Sequence, residues 1–226
     1  MPRFRSEGAA VEWRLLSSLS DEDRRALLVR CQRQRYPKGG FVFHEGEIGD
    51  SVHLIDRGTV SVRMTGPTGD VVTLDVLRPG DAFGEQALLG EGSLRSATVV
   101  ALEPTETMRL TRLEFDALCD NHPDAARVVA QMLDVRLRAT SRALLEALHL
   151  PAEGRVMRRL TYLADIYVDH PSKSIPLTQD ELASLAGTTR QTVNRVLGQA
   201  QDEGLIALSR GRIVITDPVG VARKAR

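Results

Sequence analysis

Apolar and polar residues follow three successive patterns along the chain. Residues 11–34 read as helical, with Ser20 as N-cap of "DEDRRALL", Asp23 at the third helical position and acidic residues where the helix dipole favours them. Pro37 and the pair Gly39-Gly40 end this region. From Phe41 to Leu110 the period shortens. The runs "FVFHEG", "SVHLIDRG", "TVSVRM", "VVTLDVLRPG", "ATVVAL" and "ETMRL" are punctuated by glycines at 46, 49, 58, 66, 69 and 80, and residues 59–64 alternate. Short, evenly spaced strands with glycine turns predict an antiparallel barrel or sandwich, jelly rolls included.

The third pattern is helical. "RLEFDALC" (112–119) predicts a short helix, and a long one is predicted over about 124–149, after Pro123. On it Val129, Leu133, Leu137, Leu144 and Leu148 form a narrow apolar seam. Such a seam either lies on the barrel or pairs with a second copy of itself; its length and its place between two domains favour a dimer. Pro151 closes it. A further helix is predicted over 154–169, with Val156, Leu160, Leu163, Ala164 and Tyr167 on one side, then a loop "DHPSKSIP" at 169–176.

Thr178-Gln179-Asp180-Glu181 is a capping box opening a helix that holds Leu182 and Leu185 and stops at Ala186-Gly187. Thr188 or Thr189 then caps a second helix running to about Glu203. Two short helices with a glycine-containing turn predict a helix-turn-helix. Val193, Val196 and Leu197 face its core and leave Arg190, Gln191, Asn194 and Arg195 outside, near the N-terminal end. A DNA major groove admits one such helix, and Arg, Gln and Asn can each make paired hydrogen bonds to a base edge. Thr188 and Thr189 suit phosphate, as does Thr178 at the neighbouring helix start. "LIALSRGRIVI" (205–215) predicts a hairpin turning at Arg210-Gly211, a wing from which Arg210 or Arg212 reaches a phosphate.

Composition narrows this picture only slightly. With 226 residues, 27% charged and 42% hydrophobic, the chain is globular and long enough for one large or two ordinary domains. The net charge is zero, but residues 151–226 hold 11 Lys/Arg against 8 Asp/Glu, a mildly basic part compatible with nucleic acid. Cys31 and Cys119 form no C-x-x-C pair, which argues against zinc, redox or iron–sulfur chemistry and suggests two inert or buried thiols. The five histidines form no metal-binding spacing, and no run approaches the roughly 18 apolar residues of a membrane span. "MPRFRSEGAAVEW" has no apolar core of a signal peptide, so the expected compartment is the cytoplasm.

One stretch carries different chemistry. "FGEQALLGEGSLRSATV" (83–99) sets a carboxylate at Glu85 and a guanidinium at Arg95 among glycines and hydroxyls. It is either a surface turn between strands or a pocket for a phosphorylated sugar.

A β-barrel, a seam helix and a winged helix in this order, with "RPGDAFGEQALL…LRSATV", "ATSRALLEAL" and "TTRQTVNRVL", resemble the cyclic-AMP receptor protein (CRP/FNR) family of bacterial transcription regulators from about Leu15 to Asp217. The resemblance implies an α+β fold: a cyclic-nucleotide-binding antiparallel β-roll (jelly roll) with an N-terminal helix over 1–122, a long dimerisation helix over 123–150 and a winged helix-turn-helix over 151–226. It implies a phosphate-binding cassette. There Gly84 lets the backbone approach the ligand, Glu85 accepts from the ribose 2′-hydroxyl, and the turn beginning Gln86-Ala87 presents N–H groups to the cyclic phosphate. Arg95 pairs with that phosphate and Ser96 adds a hydroxyl. Gln86 departs from the pattern, in which an aliphatic residue is more usual, and the change is expected to be tolerated. Thr140 and Ser141 match a Thr-Ser pair that touches adenine, with one contact made across the dimer.

The implied activity is allosteric. Cyclic AMP, with no metal, controls a homodimer that binds two-fold symmetric double-stranded DNA at half-sites about 34 Å apart, with RNA polymerase as a further partner. Arg190 and Arg195 match the recognition helix, but Gln191 stands where Glu is usual. Gln prefers adenine where Glu accepts from cytosine, so the half-site is expected to depart from the family's TGTGA. The alternatives are the same regulator with another effector or none, and a cyclic-nucleotide module governing an enzyme or channel. A hydrolase would need water-activating metal or His/Asp groups that the sequence does not offer.

Overall fold

The computed structural model describes residues 11–89, 94–168 and 174–225. The N-terminal segment through Ala10 and positions 169–173 of the predicted loop lie outside the described residues. The helices are α1 (Asp21–Arg30), α2 (Arg112–Asn121), α3 (Pro123–His149), α4 (Ala152–Tyr167), α5 (Gln179–Ala186), α6 (Arg190–Asp202) and α7 (Pro218–Lys224). The strands are β1 (Gln32–Tyr36), β2 (Phe41–Phe43), β3 (Ser51–Arg57), β4 (Val60–Thr65), β5 (Val71–Leu77), β6 (Ala82–Phe83), β7 (Thr98–Ala101), β8 (Thr105–Thr111), β9 (Ile206–Ser209) and β10 (Arg212–Ile215). Single 3-10 turns occupy Arg14–Leu16 and Glu85–Leu88.

The described residues fall into two compact units: 11–64 with 74–89 and 94–139, and 65–73 with 140–168 and 174–225. Two four-stranded sheets, β1-β8-β3-β6 and β2-β7-β4-β5, form the predicted antiparallel roll, which belongs to the first unit except for the end of β4 and the start of β5. β3 pairs with β8 from Ser51 opposite Thr111 to Arg57 opposite Glu106. Phe43, Ile55, Val60, Leu77, Phe83 and Val99 fill one apolar cluster. Leu15, Leu16, Val52, Leu54, Leu110 and Phe115 fill a second, which joins the roll to α2 and the start of α3.

The helix expected over 11–34 is shorter. It is capped as predicted, with Ser20 accepting from the Asp23 N–H, but it ends at Arg30. Residues 32–36 are β1 instead, antiparallel to β8. Gln and Arg are good helix formers, but intrinsic propensity is a weak determinant, and pairing with a distant strand overrides it. Arg33 bonds Asp56 and Glu106 at 2.7 and 2.6 Å, a partnership that helical periodicity does not reveal.

The seam of α3 divides in two. Ala125 and Val129 are buried in the second cluster, with Met132 and Leu133 packed against it. Beyond them Val135, Leu137, Leu144, Leu145 and Leu148 are all more than half exposed. The early seam therefore covers the roll, and the later seam is an apolar stripe.

In the second unit, α4 buries Val156, Met157, Leu160, Leu163 and Tyr167 against α5, α6 and α7. Glu146 near the end of α3 is buried and accepts from Arg158 and Arg159, each at 2.9 Å. α7 was not expected from the sequence. Its N-cap Asp217 accepts from the Gly220 N–H, and Arg158 Nε donates to the Ala225 carbonyl at 2.7 Å.

Candidate ligand pocket and nucleic-acid interface

The cassette is built where β6 runs into the Glu85–Leu88 turn. Gly84 makes the corner with φ +89°; a Cβ there would lie 2.7 Å from Arg95 Nη1 and 2.9 Å from the Ser51 carbonyl. Only glycine accepts both the backbone conformation and the closeness. Next to it Glu85 is 1% exposed and Arg95 5%, a buried carboxylate and a buried guanidinium on the two arms of one loop.

Arg95 is tightly held. Its Nη1 donates to the Ser51 and Gly84 carbonyls at 2.8 and 3.0 Å, and Nη2 donates to Ser51 Oγ at 3.0 Å. Asp50 Oδ1 stands 3.5 Å from Nη2, and the guanidinium carbon lies 4.1 Å from the Phe43 ring centroid. Burial draws the Arg95 pKa below the ordinary arginine value, an effect that Asp50 opposes. His53 stacks on Phe83 and reaches Thr107 Oγ1 at 3.1 Å. Burial, reinforced by Arg95 and Arg109, lowers its pKa to about 3, so the imidazole is neutral near pH 7.

In the cassette two buried side-chain atoms have no hydrogen-bond partner among the described residues, the acceptor Glu85 Oε2 and the donor Arg95 Nε; Arg159 Nε, outside the cassette, is the third such atom. A buried polar atom without a bond costs about 1–3 kcal/mol, so Glu85 Oε2 calls for a donor and Arg95 Nε for an acceptor. A ribose cyclic phosphate has both, a 2′-hydroxyl to donate and a phosphate oxygen to accept.

The structure brings Gly84, Glu85, Gln86, Ala87, Arg95 and Ser96 together. The Ser96 hydroxyl is given to Gln86 Oε1 at 2.7 Å. Ala87 is buried, and its carbonyl accepts from Arg112 Nη2 at 2.7 Å, which braces the turn from α2. Thr140 and Ser141 are exposed on α3. Arg136, which no motif in the sequence singles out, donates to Glu85 Oε1 and to the Ala82 carbonyl. The available signal was its place on α3, four residues before Thr140 and so on the same helix face.

The helix-turn-helix follows the predicted caps. Thr178 and Glu181 form the reciprocal capping box, Gly187 ends α5 with φ +59°, and Thr189 caps α6 by accepting from the Thr192 N–H. Arg155 holds the turn by donating to the Ala186 and Gly187 carbonyls at 3.0 and 2.8 Å, a second contribution the sequence did not announce. Val193, Val196 and Leu197 are buried, while Thr189, Arg190, Gln191, Asn194 and Arg195 are exposed and Thr188 is half-buried. Arg190 lies 3.2 Å from Asp180 and Arg195 3.8 Å from Glu153, surface pairs that leave both arginines accessible. β9 and β10 form the wing, with Arg210 exposed at its turn.

The cysteines are free thiols; burial raises the Cys31 pKa to about 11 and raises that of Cys119. Among the described residues no group of His, Cys, Asp or Glu is placed to hold a metal ion, and no helix is long and apolar enough to cross a membrane.

An antiparallel β-roll, joined on one chain to a winged helix-turn-helix, defines the class of two-domain DNA-binding transcription regulators. The family model "Cyclic nucleotide-binding domain" matches residues 33–122, and "Crp-like helix-turn-helix domain" matches residues 154–223. The cyclic AMP receptor protein of Thermus thermophilus is 36% identical over 204 residues, covering 90% of this chain and 92% of its own. A CRP-like cAMP-activated global transcriptional regulator of Mycobacterium tuberculosis is 32% identical over 208 residues, covering 89% and 91%. Among solved structures, the catabolite activator protein of Thermus thermophilus aligns at 33% identity and TM-score 0.53, covering 94% and 98%. The c-di-GMP responsive regulator CLP of Xanthomonas campestris shares the fold, with TM-score 0.74 at 24% identity over 87% and 99%. The chain belongs to the CRP/FNR family of transcription regulators, which are not enzymes and act as dimers on DNA.

Proposed function

We propose that this regulator is controlled by cyclic AMP bound in the roll. The observation that carries the reading is the unpaired couple Glu85 Oε2 and Arg95 Nε, each buried and each lacking the complement that a ribose cyclic phosphate supplies. In this reading Arg95 and Ser96 face the phosphate, Gly84 and the N–H groups from Gln86 and Ala87 line its other side, and Glu85 holds the 2′-hydroxyl. Thr140 and Ser141 take the base, with one contact made by the partner subunit. Thr178, Thr188, Thr189 and Arg210 hold DNA phosphates while Arg190, Gln191, Asn194 and Arg195 meet base edges. The working boundaries are residues 122 and 150, the compartment is the cytoplasm, and RNA polymerase is the partner in activation.

Control requires the ligand to bind the DNA-competent state more tightly than the other. A hundredfold preference corresponds to about 2.7 kcal/mol. The route is α3, which carries Arg136, Thr140 and Ser141 and leads toward the DNA-binding half.

The test is calorimetric titration with cyclic AMP, with cyclic GMP and cyclic di-GMP as controls, repeated on Arg95→Ala. One cyclic AMP per chain at micromolar affinity or tighter, lost in Arg95→Ala, is the expected result. Heat from cyclic di-GMP alone transfers the site to another effector. No heat from any of them leaves a DNA-binding dimer that works without a nucleotide.

A further inference from the structure

The two arms of the cassette are fastened to each other by side chains ten residues apart: Ser96 donates its hydroxyl proton to Gln86 Oε1 at 2.7 Å. A serine hydroxyl has one proton to give. While Gln86 holds it, no phosphate oxygen can. The local geometry explains why Gln86 reaches this partner and Glu85 does not. Consecutive side chains on a 3-10 turn project about 120° apart. Glu85 therefore points inward, buried against Arg136, and Gln86 points outward to the rim, where Ser96 also lies exposed.

We propose that Gln86 is a specificity-determining gate of the nucleotide pocket: its amide oxygen takes the Ser96 proton that the cyclic-nucleotide reading assigns to the cyclic phosphate, so the two compete for one hydroxyl. The proposal rests on the cyclic-nucleotide reading above. Binding exchanges a neutral hydrogen bond for a charge-assisted one, which is roughly twice as strong, so the exchange runs toward the ligand. The intramolecular bond that is given up still sets a threshold. Net of water, one such bond shifts an equilibrium by about two- to tenfold. The gate favours ligands with an anionic oxygen at the Ser96 position over neutral ones, because only an anion recovers more than the amide gave.

Cyclic AMP titrations of the wild type, Gln86→Leu, Ser96→Ala and the double variant test this. Leucine is close in size to glutamine but offers no acceptor. Gln86→Ala is the second variant, and thermal melting checks that each protein is folded. Gln86→Leu and Gln86→Ala are expected to tighten binding about two- to tenfold, and the gain is expected to vanish in the Ser96→Ala background. Weaker binding in both Gln86 variants makes Gln86 a ligand contact and overturns the gate. Unchanged binding, or an equal gain with and without the Ser96 hydroxyl, also overturns it while leaving the cyclic-nucleotide reading intact. If the folded wild type takes up neither cyclic AMP nor cyclic GMP, that reading fails and the gate with it.

Discussion

Arg136, on the long helix, donates to the buried carboxylate of Glu85 at the head of the ligand cassette. Glu85 is 1% exposed, and Arg136 is its charge partner. Arg136→Ala strands a buried carboxylate and is expected to destabilise the protein by about 2–4 kcal/mol, read as a lower midpoint in chemical denaturation. Glu85→Gln in the same background removes the stranded charge and is expected to restore most of the loss. Equal midpoints for wild type and Arg136→Ala would show that the pair contributes nothing to stability.

The apolar stripe of Leu137, Leu144, Leu145 and Leu148 is exposed in a single chain. Burying one leucine is worth about 1.5–3 kcal/mol. Leu144→Glu with Leu148→Glu is therefore expected to raise the dimer dissociation constant by at least about a hundredfold, measured by sedimentation equilibrium, while far-ultraviolet circular dichroism stays unchanged. A variant that sediments as wild type moves the dimer contact elsewhere.

Gln191 is exposed on the recognition helix, one residue after Arg190. Gln191→Glu exchanges an amide that pairs with adenine for a carboxylate that accepts from cytosine. Selection from a random DNA pool is expected to change one base pair in each half-site, with a preference worth about 1–3 kcal/mol. Identical selected sites for the two proteins would place Gln191 away from the bases.

His53 titrates at about 3 in the fold, against an ordinary value of 6.5, because it is buried beside Arg95 and Arg109. Its folded-state pKa is lowered, so below pH 6.5 the unfolded chain takes up a proton that the native state refuses. Stability is therefore lost as pH falls from 6.5 toward 3, at up to about 1.4 kcal/mol per pH unit from this group. Between pH 6 and 5, above the ordinary carboxylate range, His53→Gln is expected to flatten that slope by most of this amount in urea denaturation. Parallel slopes for wild type and variant would assign the pH dependence to other groups.

Much of this was legible in order along the chain. Ser20, Thr178 and Thr189 cap their helices as read, Gly187 ends α5 in the left-handed conformation, and Arg210-Gly211 turns the wing. These features depend on bond geometry and hydrogen bonds spanning two to four residues, so the residue types alone carry them. The ligand cassette was different: Gly84, Glu85 and Arg95 by themselves fitted a surface turn as well as a pocket, and only the resemblance of the surrounding motif to the family implied a phosphate site.

The features that had to wait for the folded chain join residues far apart in sequence. Arg136 meets Glu85 across 51 positions, and Arg33 of β1 meets Glu106 across 73. Neither leaves a period in the sequence, because an ion pair or a strand partner is chosen by proximity after folding and not by local conformation. The long helix shows the same division within one element. Its 3.6-residue repeat announces an apolar seam from Val129 to Leu148, but the repeat is the same whether the residues beneath it belong to the roll or to a second copy. Packing separates them: Val129 is buried at 3% exposure within the chain, while Leu148, at 67%, carries the same pattern on the outside.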